Sequence, residues 1–424
     1  VGNEHSTASP MMPPDSRVML AAADGNGNCQ AELPPSARHG WSRVWQTVLL
    51  LLVLGTLGVL FAEPVRDGDF WWQMAYGRQL LENRTLKPDH TVYSWTKTDG
   101  ERIYCAWIAE LFLFLAYCAG RLPALFMFRY LAMLGLVGAV WLMARWTDTA
   151  RHPLTWLLCL LGVLMSYGAA YLKPEIFSYI LMTAAVLTWW RVRTGGHRCR
   201  LVCYLFPVIM VLWVNSHGGC IFGCAFLFAI GVGEYLNGLF SPERMLPYSV
   251  RRHLLAALLL SGLALLATPY GPAYPLQLLR DFAKAGQRIE HFRTISAYAS
   301  IFEASKRRLH YVDYLAVGSA LFLGLFLLNR RQRRQPDWAL LLPVVFFGFL
   351  YTHFLRTTFY WAPVLSMAAV ALLRDRDSLW WPARRATRRL LAAGVLTAVL
   401  GLFGRTVYEA MSAPISDRWL GFGV

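Results

Sequence analysis

Apolar residues gather along the chain into twelve runs, at about 44–62, 104–119, 124–144, 153–172, 175–190, 201–214, 219–240, 253–269, 311–328, 337–352, 358–373 and 390–408. The polar segments between them are rich in arginine, glycine and proline. Most runs approach the ~20 residues that an α-helix needs to cross ~30 Å of hydrocarbon. The pattern therefore predicts an all-α fold, a polytopic transmembrane helical bundle.

Charge decides how many runs cross. If all twelve did so from a cytoplasmic amino terminus, the arginines at 191–200, 330–334 and 374–389 would lie outside, against the positive-inside rule. The run 104–119 is short, contains Glu110 and follows polar sequence, which suits an interfacial or re-entrant helix. With that run demoted, about eleven spans remain. The basic clusters at 145–151, 191–200, 244–252, 330–334 and 374–389 then all become cytoplasmic. This predicts a disordered cytoplasmic tail over 1–42 and a transmembrane domain over 43–408. The external loops fall at about 63–123 and 270–310, and the external carboxy-terminal tail at 409–424. The tail 1–42 carries no apolar core of a signal peptide.

Composition supports this class. Of 424 residues, 56% are hydrophobic and 16% charged, which excludes a soluble globular enzyme, a disordered chain and a disulfide-rich module. The net charge of +16 is carried largely by topology-setting arginines, so no nucleic-acid partner is implied. The eight cysteines show neither CxxC nor metal-ligand spacing and read as apolar space-fillers.

The remaining ionisable residues converge on the external face. After the first span come Asp67 and Asp69, then Phe70-Trp71-Trp72-Gln73-Met74 and, further on, Arg78. Asp69 has the position of a helix N-cap, and Phe70, Trp71, Met74 and Leu81 recur at helical spacing, as in a helix lying among lipid headgroups. A carboxylate there suits a lipid-linked substrate whose tail stays in the bilayer; an aromatic-belt anchor with a capping acid has the same pattern. Lys173-Pro174-Glu175 lies at an external turn. Glu175 there is either a favourable charge in a first helical turn or a second working carboxylate, and Lys173 suits a phosphate. His217, followed by two glycines, ends another span. Arg307, Arg308 and His310 in the second external segment, with Arg356 in a late turn, lie outside despite the inside bias. Lipid phosphate or anionic headgroups account for them.

Several blocks resemble the type C membrane glycosyltransferases, among them the lipid A aminoarabinose transferases and the protein O-mannosyltransferases, and still more closely bacterial multispan relatives. The blocks are Gly68-Asp69-Phe70-Trp71-Trp72 with Tyr76-Gly77-Arg78, Pro88-Asp89-His90 through Thr96, Trp107-Ile108-Ala109-Glu110, Lys173 through Ser178, and Asn215-Ser216-His217-Gly218-Gly219. The likeness runs over about 60–420 and is strongest over 67–225.

The resemblance implies interfacial helices in the first external loop and a sugar donor on a polyprenyl phosphate, used at the outer face of the cytoplasmic membrane. It also implies inversion at the anomeric carbon, with an acid of that loop as general base. By position this acid is Asp69, with Asp67 as its substitute and Glu175 as a second acid. Lys173, His217, Arg356, Arg307, Arg308, His310, Trp71, Trp72 and Arg78 would bind substrate. The acceptor would be a glycan, a lipid or a protein. Some members of the class hold a divalent metal between acids and phosphate, but no ligand cluster in this sequence demands one. Two rivals remain: a non-catalytic membrane subunit with this fold, and a transporter, which calls for mid-span ionisable residues and detectable repeats.

Overall fold

A helix satisfies its own backbone polar groups, and in hydrocarbon no water is present to do so; runs of this apolarity therefore fold as helices. A computed structural model describes residues 43–62, 69–91, 103–166, 171–281, 300–302, 311–331, 334–374 and 385–412, and among these there is no strand. Twelve helices are numbered here in chain order. They are α1 (Arg43–Leu60), α2 (Asp69–Glu82), α3 (Trp107–Arg145), α4 (Pro153–Met165), α5 (Glu175–Gly195), α6 (Leu205–Val214), α7 (Cys220–Phe240), α8 (Tyr248–Ala264), α9 (Tyr311–Arg331), α10 (Trp338–His353), α11 (Thr358–Arg374) and α12 (Arg385–Ser412). A further helical stretch covers 273–281. Four described segments are long and apolar enough to cross a membrane: Trp107–Arg145, Glu175–Val214, Cys220–Phe240 and Tyr311–Arg330. Shorter apolar helices accompany them.

Two of the long segments are interrupted. Within α3 the backbone leaves helical geometry at Gly120 and at Arg121, whose φ is 55°, separating 107–119 from the longer part. The boundary coincides with that between the apolar runs 104–119 and 124–144. Glu175–Val214 folds back on itself, because Gly196 adopts φ 53° and opens a 3-10 segment, Gly196–Tyr204, before α6. Trp213 at the end of α6 reaches Ser178 in the first turn of α5, so the two helices run antiparallel.

The bundle is organised around α4 and α11. Every residue of α4 is buried, as is the continuous stretch from Thr358 to Val370 in α11. A helix that is apolar on all sides belongs at the centre of a bundle. Around them pack α1, α3, α5, α9 and α10, and α12 lies against α1. Glycines set the closest crossings: a Cβ at Gly233 would overlap the Ala339 backbone between α7 and α10, and one at Gly77 would overlap the Glu110 carbonyl between α2 and α3.

The helix ends sort by charge. At one end, Trp190 donates to the Met143 carbonyl, Arg193 meets Asp337 and Glu234, and Asn329 donates to the Leu372 carbonyl. These contacts bring together the arginine-bearing ends of α3, α5, α7, α9 and α11. The opposite end gathers the starts of α2, α5, α7 and α11. The 1–42 and 413–424 segments lie outside the described residues, and α12 continues helically to Ser412, past the boundary expected at 408.

Candidate functional site

The site is assembled from chain reversals at the end opposite the arginines. Asp69 opens α2 as its first helical residue rather than standing before it as a cap. One face of α2, with Phe70, Met74 and Leu80, is buried, and Phe70 and Met74 pack on Leu113, Leu125 and Leu172. Trp71, Trp72 and Leu81 stay exposed, so the apolar face read from the sequence is divided: Phe70 and Met74 face protein, Trp71 and Leu81 do not. Arg78 forms an exposed i,i+4 pair with Glu82 at 2.7 Å, about 13 Å along the helix from Asp69.

Four residues expected from the sequence come together. Lys173 Nζ lies 3.8 Å from Asp69 Oδ2, joining the turn before α5 to the start of α2. Lys173 also lies over the Tyr171 ring. Glu175, buried in the first turn of α5, faces His217 with Oε1 3.8 Å from Nε2. Asp69, Lys173, Glu175 and His217 thus occupy one end of the bundle as two adjoining pairs, one acid facing a lysine and the other a histidine.

The histidine is held from behind by residues that carried no role in the sequence reading. Ser178 Oγ lies 2.7 Å from His217 Nδ1, and the Gly219 N–H donates to the same nitrogen at 3.1 Å. Trp213 Nε1 donates to Ser178 Oγ at 2.7 Å. With Nδ1 already accepting from a backbone donor, the Ser178 hydroxyl donates to it as well, and the ring proton belongs on Nε2, facing Glu175. Tyr360 of α11 completes the enclosure: a Cβ at Gly219 would stand 2.5 Å from its hydroxyl, and its ring lies 4.7 Å from that of Phe222. Ser178 could have been found one turn after Glu175; for Tyr360 the nearest mark in the sequence is Arg356, four residues earlier.

A scaffold from the first loop supports these turns. Asn215 accepts from Trp107 Nε1 at 2.8 Å and donates to the Val211 and Ala267 carbonyls, while its own carbonyl accepts from Ile108 N–H. Cys105 donates to Asn215 at 3.6 Å, and burial pushes its thiol up to about 12. His90 Nε2 lies 3.2 Å from Glu110 Oε1 in a fully buried pair, and the Tyr76 hydroxyl donates to the His90 carbonyl. Beside it, the hydroxyl and N–H of Thr91 hold the Asp89 carboxyl below its usual range. Lys87 lies over the Tyr270 ring at 5.1 Å, linking the first loop to the turn at Gly271. The motif blocks therefore divide into residues facing the open end and residues that lock the loop in place.

Asp67, Arg307, Arg308 and His310 lie outside the described residues. The backbone of Arg356 is in a three-residue 3-10 turn, Leu355–Thr357, four residues before Tyr360. Among the described residues, no group of three or more His, Cys, Asp or Glu side chains converges to hold a metal ion.

No protein-family model matches the sequence, and curated proteins give no match. Solved structures do. The oligosaccharyltransferase AglB of the archaeon Archaeoglobus fulgidus, in complex with an inhibitory peptide and a dolichol-phosphate, superposes with a TM-score of 0.60 at 12% identity over 86% of this chain. The apo form of an oligosaccharyltransferase from the same organism gives 0.54 at 13% over 85%. The chain spans only 55% and 56% of those two proteins. At this identity the likeness is one of fold: the described helices share the arrangement of those oligosaccharyltransferase structures.

Proposed function

We propose that the chain is a membrane glycosyltransferase that moves a sugar from a polyprenyl-phosphate donor to an acceptor hydroxyl at the outer face of the cytoplasmic membrane. The observation that carries this reading is Asp69, a carboxylate 71% exposed at the start of α2, with Lys173 3.8 Å away. In the proposed step the acceptor O–H gives its proton to the Asp69 carboxylate as its oxygen attacks the anomeric carbon. The bond from that carbon to the phosphate oxygen breaks from the opposite side, so configuration inverts. Polyprenyl phosphate departs carrying the electron pair, and Lys173 offsets the charge that develops on it. The exposed Trp71 and Trp72 flank Asp69 where a lipid-borne sugar would approach. Glu175 and His217 orient the acceptor side.

A lipid phosphate bound to the AglB neighbour makes such a donor compatible with the fold. The proposed step uses only protein side chains. The test is mass spectrometry of lipid-linked sugars and surface glycans in cells whose only copy is wild type, Asp69→Asn or Asp67→Asn. Asp69→Asn is expected to insert normally, abolish the glycan modification and accumulate one polyprenyl-phosphate monosaccharide. Unchanged glycans in both variants would refute the mechanism.

A further inference from the structure

The arginine-rich end carries a second feature that the transferase reading does not use. Between α5, α9, α10 and α11 lies a cavity of about 270 Å³. Arg193, on its wall, stands eighteen residues beyond Glu175 on the same helix, or ~27 Å along the axis. The cavity is therefore remote from the Asp69 cluster.

The lining separates into an apolar side and a basic mouth. Phe322, Phe326 and Leu341 form part of the apolar side. Among the described residues, five arginines line the cavity, Arg193, Arg244, Arg330, Arg334 and Arg374, against two acids, Glu243 and Asp337. Arg193 is bound by both Asp337 and Glu234 within a buried network that also holds Asn237, so this group supplies a rigid wall rather than positive charge. The other charged lining residues described are four arginines and Glu243. The mouth arginines come from two clusters far apart in sequence, each of which alone reads as a topology signal.

A separate observation concerns Asn329. It is nine-tenths buried and donates through Nδ2 to the Leu325 and Leu372 carbonyls at 3.0 and 3.1 Å. With Nδ2 so committed, its Oδ1 has no donor among the described residues and is sealed from a water-sized group, although the residue lines the cavity. A buried unpaired acceptor is costly, so a ligand hydroxyl or N–H would relieve it once the lining shifts to admit the group.

We infer that this cavity binds a phosphate-bearing lipid whose headgroup also carries a hydroxyl, of the phosphatidylglycerol type. The phosphate would sit among Arg330, Arg334 and Arg374, the hydroxyl would donate to Asn329 Oδ1, and an acyl chain would follow Phe322 and Phe326. Basic hollows between membrane helices recognise anionic headgroups in this manner.

The test uses the full chain in nanodiscs made of equal parts phosphatidylglycerol and phosphatidylcholine, with co-purifying lipid read by native mass spectrometry. The wild type is expected to retain phosphatidylglycerol about tenfold over phosphatidylcholine, and Arg330→Gln/Arg374→Gln to fall to near parity. Both arginines are exposed, so the double variant keeps its fold; equal unfolding temperatures in lipid-free detergent verify this. Asn329→Leu, which alters no charge, is expected to lower retention about threefold through loss of a single hydrogen bond. Equal retention of the two lipids by the wild type, or undiminished preference in the double variant, overturns the site. Binding of sn-glycerol 3-phosphate as tight as that of the lipid overturns the lipid assignment in favour of a soluble phosphate.

Discussion

Lys173 and Asp69 face each other at 3.8 Å across the junction of α2 and α5, with the carboxylate far more exposed than the ammonium. An open pair of this kind contributes ~0–1 kcal/mol to stability. Lys173→Met is therefore predicted to unfold at nearly the wild-type temperature. If Lys173 stabilises the departing phosphate, the same variant loses about 10²-fold or more in turnover, and Lys173→Arg recovers part of it. Parallel measurement of unfolding and of sugar transfer in membranes separates the two effects; wild-type turnover in Lys173→Met would remove the lysine from the mechanism.

Ser178 is a hydrogen-bonding hinge between Trp213 and His217. Ser178→Ala leaves the buried Trp213 N–H without its acceptor, a cost of ~1–3 kcal/mol. It also releases one of the two donors that fix the His217 tautomer. Gly219→Ala acts more severely, since its Cβ would run into Ser178, Tyr360 and His217 together. The expected order of thermal stability in detergent is wild type, Ser178→Ala, Gly219→Ala. A Gly219→Ala protein as stable as wild type would show that the three side chains are less tightly gathered than described.

The legible and illegible parts of this molecule differ in sequence separation. Among the described residues each apolar run folds at least in part as a helix because its information is local. Asp69, Lys173, Glu175 and His217 were picked out as candidates because each sits at a turn beside an expected span. The partners that hold them were not. Cys105 meets Asn215 across 110 residues, and Trp213 reaches Ser178 across 35. His90 and Glu110 read as parts of resembling motifs, and only the fold shows that they are a buried pair. Arg193 read as one more topology signal, whereas its guanidinium is the centre of a network reaching Asp337, 144 residues away.

The pair of His90 and Glu110 predicts a sharp asymmetry. Both side chains are almost wholly enclosed. Removing one partner strands the other, at a typical cost of 3–5 kcal/mol for a buried pair, about the lower value if the survivor neutralises. His90→Ala should therefore destabilise the first loop strongly, and limited proteolysis within that loop should accelerate before the bundle itself unfolds. Glu110→Gln, which keeps shape and one acceptor, should do less harm.

Stability should also depend on pH through His152, which caps α4 by accepting from the Leu154 N–H through Nδ1. Burial depresses its pKa to about 4. The unfolded chain, with an ordinary value near ~6.5, binds the proton first, so stability is intact above that value and is lost as pH falls towards 4. The shift corresponds to a loss of up to ~3 kcal/mol. His152→Asn retains a capping acceptor without a titratable ring, and its unfolding temperature should be flatter between pH 7 and 4.5 than that of the wild type.

Arg193 carries the last prediction. Its guanidinium donates to Glu234 at 2.6 Å, to Asp337 at 2.9 Å and to the Arg244 carbonyl, and Asn237 binds both Asp337 and the Trp338 N–H. Arg193→Met leaves two carboxylates facing each other without their cation, so a loss of ~3–5 kcal/mol is expected. Neutralising the acids as well should restore much of it, because the penalty lies in stranded charge rather than in lost packing. The triple variant Arg193→Met/Glu234→Gln/Asp337→Asn is accordingly predicted to be more stable than Arg193→Met alone. A triple variant less stable than the single one would mean that the hydrogen-bonded geometry, and not charge compensation, holds α5, α7 and α10 together at this end.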